Sequence, residues 1–183
     1  MTISELCQRA ELSGEVQQLA APDMGVRTYL ETLARNGLLR ETIGALAHFF
    51  PKRDAIAWGL ESVRGVSAAS AAPETGAVWE AIEKWLADPN DARRRATMQA
   101  ADAVGMGSPA GCLALAVFLS GGSIAPAQSP VSPEAPPHAC GKAVTGALAM
   151  TVALEPHNAP QLLRSFIDRG FRFAQNRKMW EES

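Results

Sequence analysis

Apolar positions recur along this chain every three or four residues, and no stretch alternates as a half-buried strand would, so the pattern predicts an all-α fold. The stretch from Leu38 to Arg64 organises the rest. Leu39, Ile43, Leu46, Ala47 and Phe50 make one apolar stripe, while Arg40, Glu41 and Thr42 begin on the other side. Pro51 has no amide to donate and biases Phe50 away from helical backbone, so one helix ends there and another starts. On the second helix Ile56, Ala57, Leu60 and Val63 form a stripe, and Trp58 lies off it, which predicts cover on two sides.

The remaining boundaries follow from capping chemistry. Thr2 and Glu5 have the spacing of a capping box, and Ser13 suits a further short helix interrupted at Ala21-Pro22-Asp23. Val26, Tyr29, Leu30, Leu33 and Ala34 share a face that ends at Asn36-Gly37, two residues that tolerate left-handed backbone. Residues 65–73 read as a small-residue loop, with Pro73 and Glu74 opening a helix that carries Val78, Trp79, Ile82, Trp85 and Leu86. Asn90 caps the next helix, with Arg93, Arg94 and Arg95 followed by Met98, Ala101 and Val104 before Gly105 and Gly107 close it. Ser108-Pro109 starts a helix that is apolar almost all round and therefore central. Five prolines between Ile124 and Pro137 exclude a regular helix or central strand, leaving a semi-extended connection. Two helices finish the chain, His138 to Leu154 and one capped by Asn158, whose apolar face is Leu162, Leu163, Phe166, Ile167, Phe171 and Ala174. Gly170 within it costs about 1 kcal/mol against alanine.

The expected architecture is thus one domain over residues 1–183, an irregular bundle of about eight helices with the proline-rich connection at 124–137. RTYLETLARNGLLRETIGALAHFF and RRATMQAADAVGMGSPAGCLALAVFL both run helix, glycine turn, apolar helix. That echo leaves open two helical-hairpin halves in a repeat-like arrangement.

Composition narrows the function classes. With 183 residues, 47% hydrophobic and 20% charged, the chain has an ordinary globular balance and is not a disordered one. A net charge of -2 gives no general support for nucleic-acid or anionic-membrane binding. Cys7, Cys112 and Cys140 are odd in number and far apart, a poor disulfide framework, so a reducing cytoplasm is expected. The opening MTISELCQRAEL lacks a basic head followed by an apolar run, so no secretory signal is expected, and no apolar stretch reaches the ~20 residues a bilayer requires.

Candidate chemistry is sparse. His138 and Cys140 supply one close ligand pair, which Cys112 or His157 would have to complete, and zinc sites ordinarily show two such pairs. No metal or cofactor is expected. Gly141 to Thr145 resembles the end of a phosphate loop, but the earlier glycine falls on Pro136 and no strand precedes it. No nucleophile elbow is present. Arg93 to Arg95 point three ways from one helix and read as a solvated face, and Trp58, Trp79 and Trp85 read as core. The last helix has a basic outward side. Arg164, Arg172, Arg177 and Lys178, together with Trp180, are the candidate partner-binding residues, with Trp180 either anchoring a partner or folding back on the domain.

PKRDAIAWGLESVR, EAIEKWLADPNDARRRATMQAADAVG, SPAGCLALAVFLSGGSIAP, GKAVTGALAMTVA and RSFIDRGFRFAQ, in that order, resemble a family of small all-helical bacterial proteins of unknown function over about Leu12 to Ala174. The resemblance implies a fold, and an accessory or adaptor role beside type VI secretion components, and it supplies no catalytic residues. The expected function is therefore a non-enzymatic cytoplasmic interaction module with a protein partner, no nucleic acid and no membrane. The alternative is a small-molecule-binding domain or enzyme with a pocket between helices near His138 and Cys140. Oligomeric state is not legible.

Overall fold

Each helix begins and ends where side chains supply what the backbone lacks. The computed structural model describes residues 1–66, 69, 74–126 and 128–182, and among these ten α-helices and no strand are found. They are α1 Ile3–Arg9, α2 Gly14–Gln17, α3 Val26–Arg35, α4 Leu39–Phe49, α5 Lys52–Arg64, α6 Thr75–Ala87, α7 Asp91–Ala101, α8 Pro109–Phe118, α9 Ala139–Leu154 and α10 Ala159–Asn176. The expected all-α class stands, and two helices of seven residues or fewer at the N-terminus account for the excess over eight.

Thr2 and Glu5 form the reciprocal capping box, with 3.2 Å and 2.8 Å bonds, and Ser13, Asn90 and Ser108 each accept a first-turn amide. Asn158 stands before α10, yet its side chain makes no capping bond. A short 3-10 turn over Pro156–Asn158 leads into the helix instead. The loop expected over 65–73 and its Pro73 fall largely outside the described residues.

Phe50 adopts extended backbone ahead of Pro51, which separates α4 from α5 as the proline requires. Both helices bury more than one stripe. Thr42, expected on the polar side, is fully buried, because its hydroxyl donates to the Leu38 carbonyl at 2.7 Å and so needs no water. Trp58 is also fully buried, with Nε1 donating to the Phe166 carbonyl at 3.1 Å. Gly170 has a structural reason: a Cβ there would lie 3.0 Å from Leu46 and 3.2 Å from the Trp58 indole. Its lost helix propensity is exchanged for close approach of α10 to the core.

The central layer is α9, which lies against α8, α5 and α4. Pairs α3/α4 and α7/α8 both turn through a left-handed glycine, Gly37 and Gly105, as the echo between the halves suggests. From Leu6 to Ala174 the buried apolar residues form one connected cluster. No helix among the described residues is long and apolar enough to cross a membrane.

Of the three α7 arginines, Arg93 stays at the surface, paired with Asp88, while Arg94 and Arg95 overturn the expectation of a solvated face. Arg94 is only 4% exposed; it donates to the Phe118 carbonyl at 2.6 Å and the Ser123 carbonyl at 2.8 Å, and its guanidinium covers the Phe118 ring. Arg95 reaches the same Ser123 carbonyl and that of Ala125. Both also hold Asp91, whose carboxyl they keep below its ordinary range. Neighbouring helix positions converge here because the chain after α8 curls back across both. The proline-rich connection begins at this anchor and is pinned again where the Ile124 amide donates to the Pro133 carbonyl. Between those two residues Val131 is 64% exposed.

Candidate functional site

The five residues expected to meet a partner do not form one uniform patch. Arg164 and Arg172 project from the exposed side of α10 and have no ion pair among the described residues. Arg177 is engaged within the chain, 2.5 Å from the Asp54 carboxylate and stacked over Phe173. Lys178 is exposed in left-handed backbone. Trp180 folds back, parallel to Phe49 at 4.9 Å and tilted against Phe171, with the Arg27 guanidinium 5.9 Å away. Half-buried, it closes the C-terminal end of α10 onto α4.

Between α5, α6 and α10 runs a groove that the sequence did not disclose. Two adjoining hollows of about 410 and 430 Å³ share Glu61 and Arg169 as walls. Arg169 and Arg172 are three apart on α10 and therefore lie on one face, with Phe173 and Asn176 continuing it. Ala57, Leu86 and Phe173 give the groove an apolar lining. Ion pairs stand at its two ends, Arg177 with Asp54 and Arg64 with Glu83. Arg169 Nε is buried and has no hydrogen-bond partner, while its Nη2 passes so near Gly65 that a Cβ there would sit 3.2 Å away. A spacing argument from Arg172 back to Arg169 was the one signal available in the sequence.

A smaller cleft, about 160 Å³, lies where the α4/α5 break meets the start of α9. It brings His138 and Cys140 together with His48, Lys52 and Arg9, and does not include Cys112 or His157. His48 is the residue that sequence reasoning missed. Its ring stands edge-on to that of His138 at 6.1 Å between centroids, Nδ1 pairs with the Gly44 carbonyl at 2.8 Å, and Nε2 is buried without a partner. Only glycine fits opposite, since a Cβ on Gly141 would lie 2.8 Å from the imidazole. Burial holds His48 below its ordinary value and pushes the Cys140 thiol up to about 12. At neutral pH the thiol therefore stays protonated, a poor nucleophile and a poor metal ligand. Among the described residues no group of three His, Cys, Asp or Glu side chains is placed to hold a metal.

Cys7 lies 3.3 Å from the Tyr29 hydroxyl, which donates to the Val16 carbonyl, and burial raises the tyrosine further above its ordinary value. An apolar hollow of about 480 Å³ opens beside it, between α1 and the start of α3. The Cys112 thiol donates to the Ala143 carbonyl and is raised by burial. None of the three thiols is disulfide-bonded.

The chain belongs to a family of unknown function (DUF6931), whose sequence model matches residues 29–174. No curated protein and no solved structure matches it. The matched span runs from the first turns of α3 nearly to the end of α10. It contains the α10 groove residues Glu61, Arg64, Arg169 and Arg172 and the cleft residues His48, His138 and Cys140, and it excludes Arg177, Lys178, Trp180 and the residues lining the N-terminal hollow.

Proposed function

We propose that this chain is a non-enzymatic protein-interaction module, a cytoplasmic adaptor or accessory protein of bacterial type VI secretion, that meets its partner with the basic outer side of α10. The observation that carries this reading is Arg164 and Arg172, two exposed guanidinium groups on one helix that form no ion pair among the described residues, with Asp168 one turn from each. Elsewhere most arginines and lysines are engaged within the chain, as Arg94 and Arg177 are, with Arg9, Arg40 and Lys178 among the exceptions. The Cys112 and Cys140 thiols, raised by burial, argue against nucleophilic chemistry at those two positions. The secretion setting rests on the resemblance of the ordered helix segments alone. Affinity capture from the native host, comparing the wild type with an Arg164→Glu/Arg172→Glu variant, tests it. A secretion component retained by the first and lost by the second is the expected result; a capture profile unchanged by charge reversal overturns it.

A second reading is a ligand-binding helical domain whose site is the His48 cleft, favoured by the unpartnered Nε2 beside Lys52 and Arg9. A small oxyanion such as inorganic phosphate should then raise the melting temperature of the wild type and leave that of His138→Ala unchanged.

A further inference from the structure

We infer that the groove between α5 and α10 receives an acidic segment of the partner protein in extended form, its carboxylates on Arg169 and Arg172 and an apolar side chain on Ala57 and Phe173. This deepens the interaction reading above and rests on it. The charge arithmetic is local. Arg177 is neutralised by Asp54 at one end and Arg64 by Glu83 at the other, which leaves Arg169 and Arg172 facing the single carboxylate of Glu61, with which neither forms an ion pair. The groove thus carries an unneutralised positive charge between two neutral ends.

Arg169 gives the site its chemistry. A guanidinium has five donors, and a buried donor without an acceptor is costly to leave so. Its Nε is in that condition, and the neighbouring wall at Gly65 has no side chain to crowd it. That donor is closed off inside the fold, so the partner's carboxylate meets the remainder of the guanidinium, which lines both hollows. Length agrees with a short segment. From Asp54 to Gly65 α5 advances about 16 Å at 1.5 Å per residue, room for about five residues of extended chain. The apolar lining at Ala57, Leu86 and Phe173 distinguishes a peptide with a hydrophobic side chain from a bare polyanion.

The test uses the full chain and a labelled hexapeptide, Glu-Leu-Glu-Glu-Leu-Glu, followed by fluorescence anisotropy, with the Lys-for-Glu peptide and a single-stranded oligonucleotide of equal charge as competitors. The acidic peptide should bind and neither competitor should displace it. Affinity should fall about tenfold or more in Arg169→Met and in Ala57→Trp, recover only in part in Arg169→Lys, which restores the charge without the fork, and remain unchanged in Arg35→Met on the distant α3. Melting curves check that each variant is folded, and the exposed Arg172→Glu gives an independent loss at the same site. Failure to bind, or equal binding of the oligonucleotide, overturns the inference. Loss of the peptide in Arg164→Glu but not in Arg169→Met overturns the groove while leaving the broader interaction reading intact. A partner captured from the host that ignores both changes overturns both.

Discussion

Arg94 and Arg95 of α7 and Arg169 and Arg172 of α10 are the same residue type on two helices of one chain, and their surroundings divide them. At α7 the C-terminal end of α8 and the chain that follows it present carbonyls to both guanidinium groups, at 2.6 to 3.1 Å. The Phe118 carbonyl, the last of α8, also carries the negative end of that helix's dipole, which holds Arg94. At α10 no such row of acceptors faces the helix. Arg172 extends into solvent and the Arg169 Nε is enclosed without a partner. Equal charge therefore behaves differently: at α7 it closes the fold, and at α10 it is not answered by an ion pair among the described residues.

Breaking the α7 side should have the largest effect. Arg94→Met keeps the alkyl stem and removes the carbonyl bonds, and is expected to cost about 3 kcal/mol in urea unfolding. Little of that comes from Asp91, which is 61% exposed. Hydrogen exchange at the Ile124 amide should accelerate with it. A loss below about 1 kcal/mol would show that the clamp merely decorates the loop. On α10 the inner face is the fixed part: Gly170→Val drives two methyls toward Leu46 and Trp58 and should cost about 2 kcal/mol. Arg95→Met, with a side chain 24% exposed, should cost about 1 kcal/mol. Arg172→Ala should change stability by less than about 0.5 kcal/mol while abolishing acidic-peptide binding, and a larger loss of stability would place it with the α7 arginines after all.

The smallest effect is one of pH. Burial disfavours the His48 imidazolium, so its folded value lies below the ordinary 6.5. Stability is then undiminished above 6.5 and falls as pH drops from there toward the folded value, because the unfolded chain takes the proton first. The charges of His138 and Lys142 add to the same direction, while the backbone at Gly44 and His138 opposes it; Arg9, Lys52 and Glu11 also stand around this ring. His48→Gln should flatten that part of the stability curve. An identical slope in wild type and variant would remove His48 from the account.

How much of this was legible depends on range. Thr2 with Glu5, Ser13, Asn90 and Ser108 announced helix starts correctly because a cap acts within three residues of itself. Pro51 and the Asn36-Gly37 step worked for the same reason. Thr42 was misplaced, since its back-bond to Leu38 lets a polar residue sit inside a core that periodicity alone assigns to apolar ones. Arg94 was misplaced because its acceptors lie in the chain after α8. His48 and His138 are brought edge to edge only when α9 docks on α4, and Arg169 becomes noteworthy only once α5 forms the opposite wall.

The amino-acid sequence by itself determined the helices, their ends and their apolar stripes, since propensity, capping and periodicity act between residues a turn or two apart. Tertiary structure alone decided which charges are answered within the molecule and which are not. That follows from the physics of a buried or half-buried guanidinium: its energy is set by whichever acceptors packing carries to it, and those come from elsewhere in the chain.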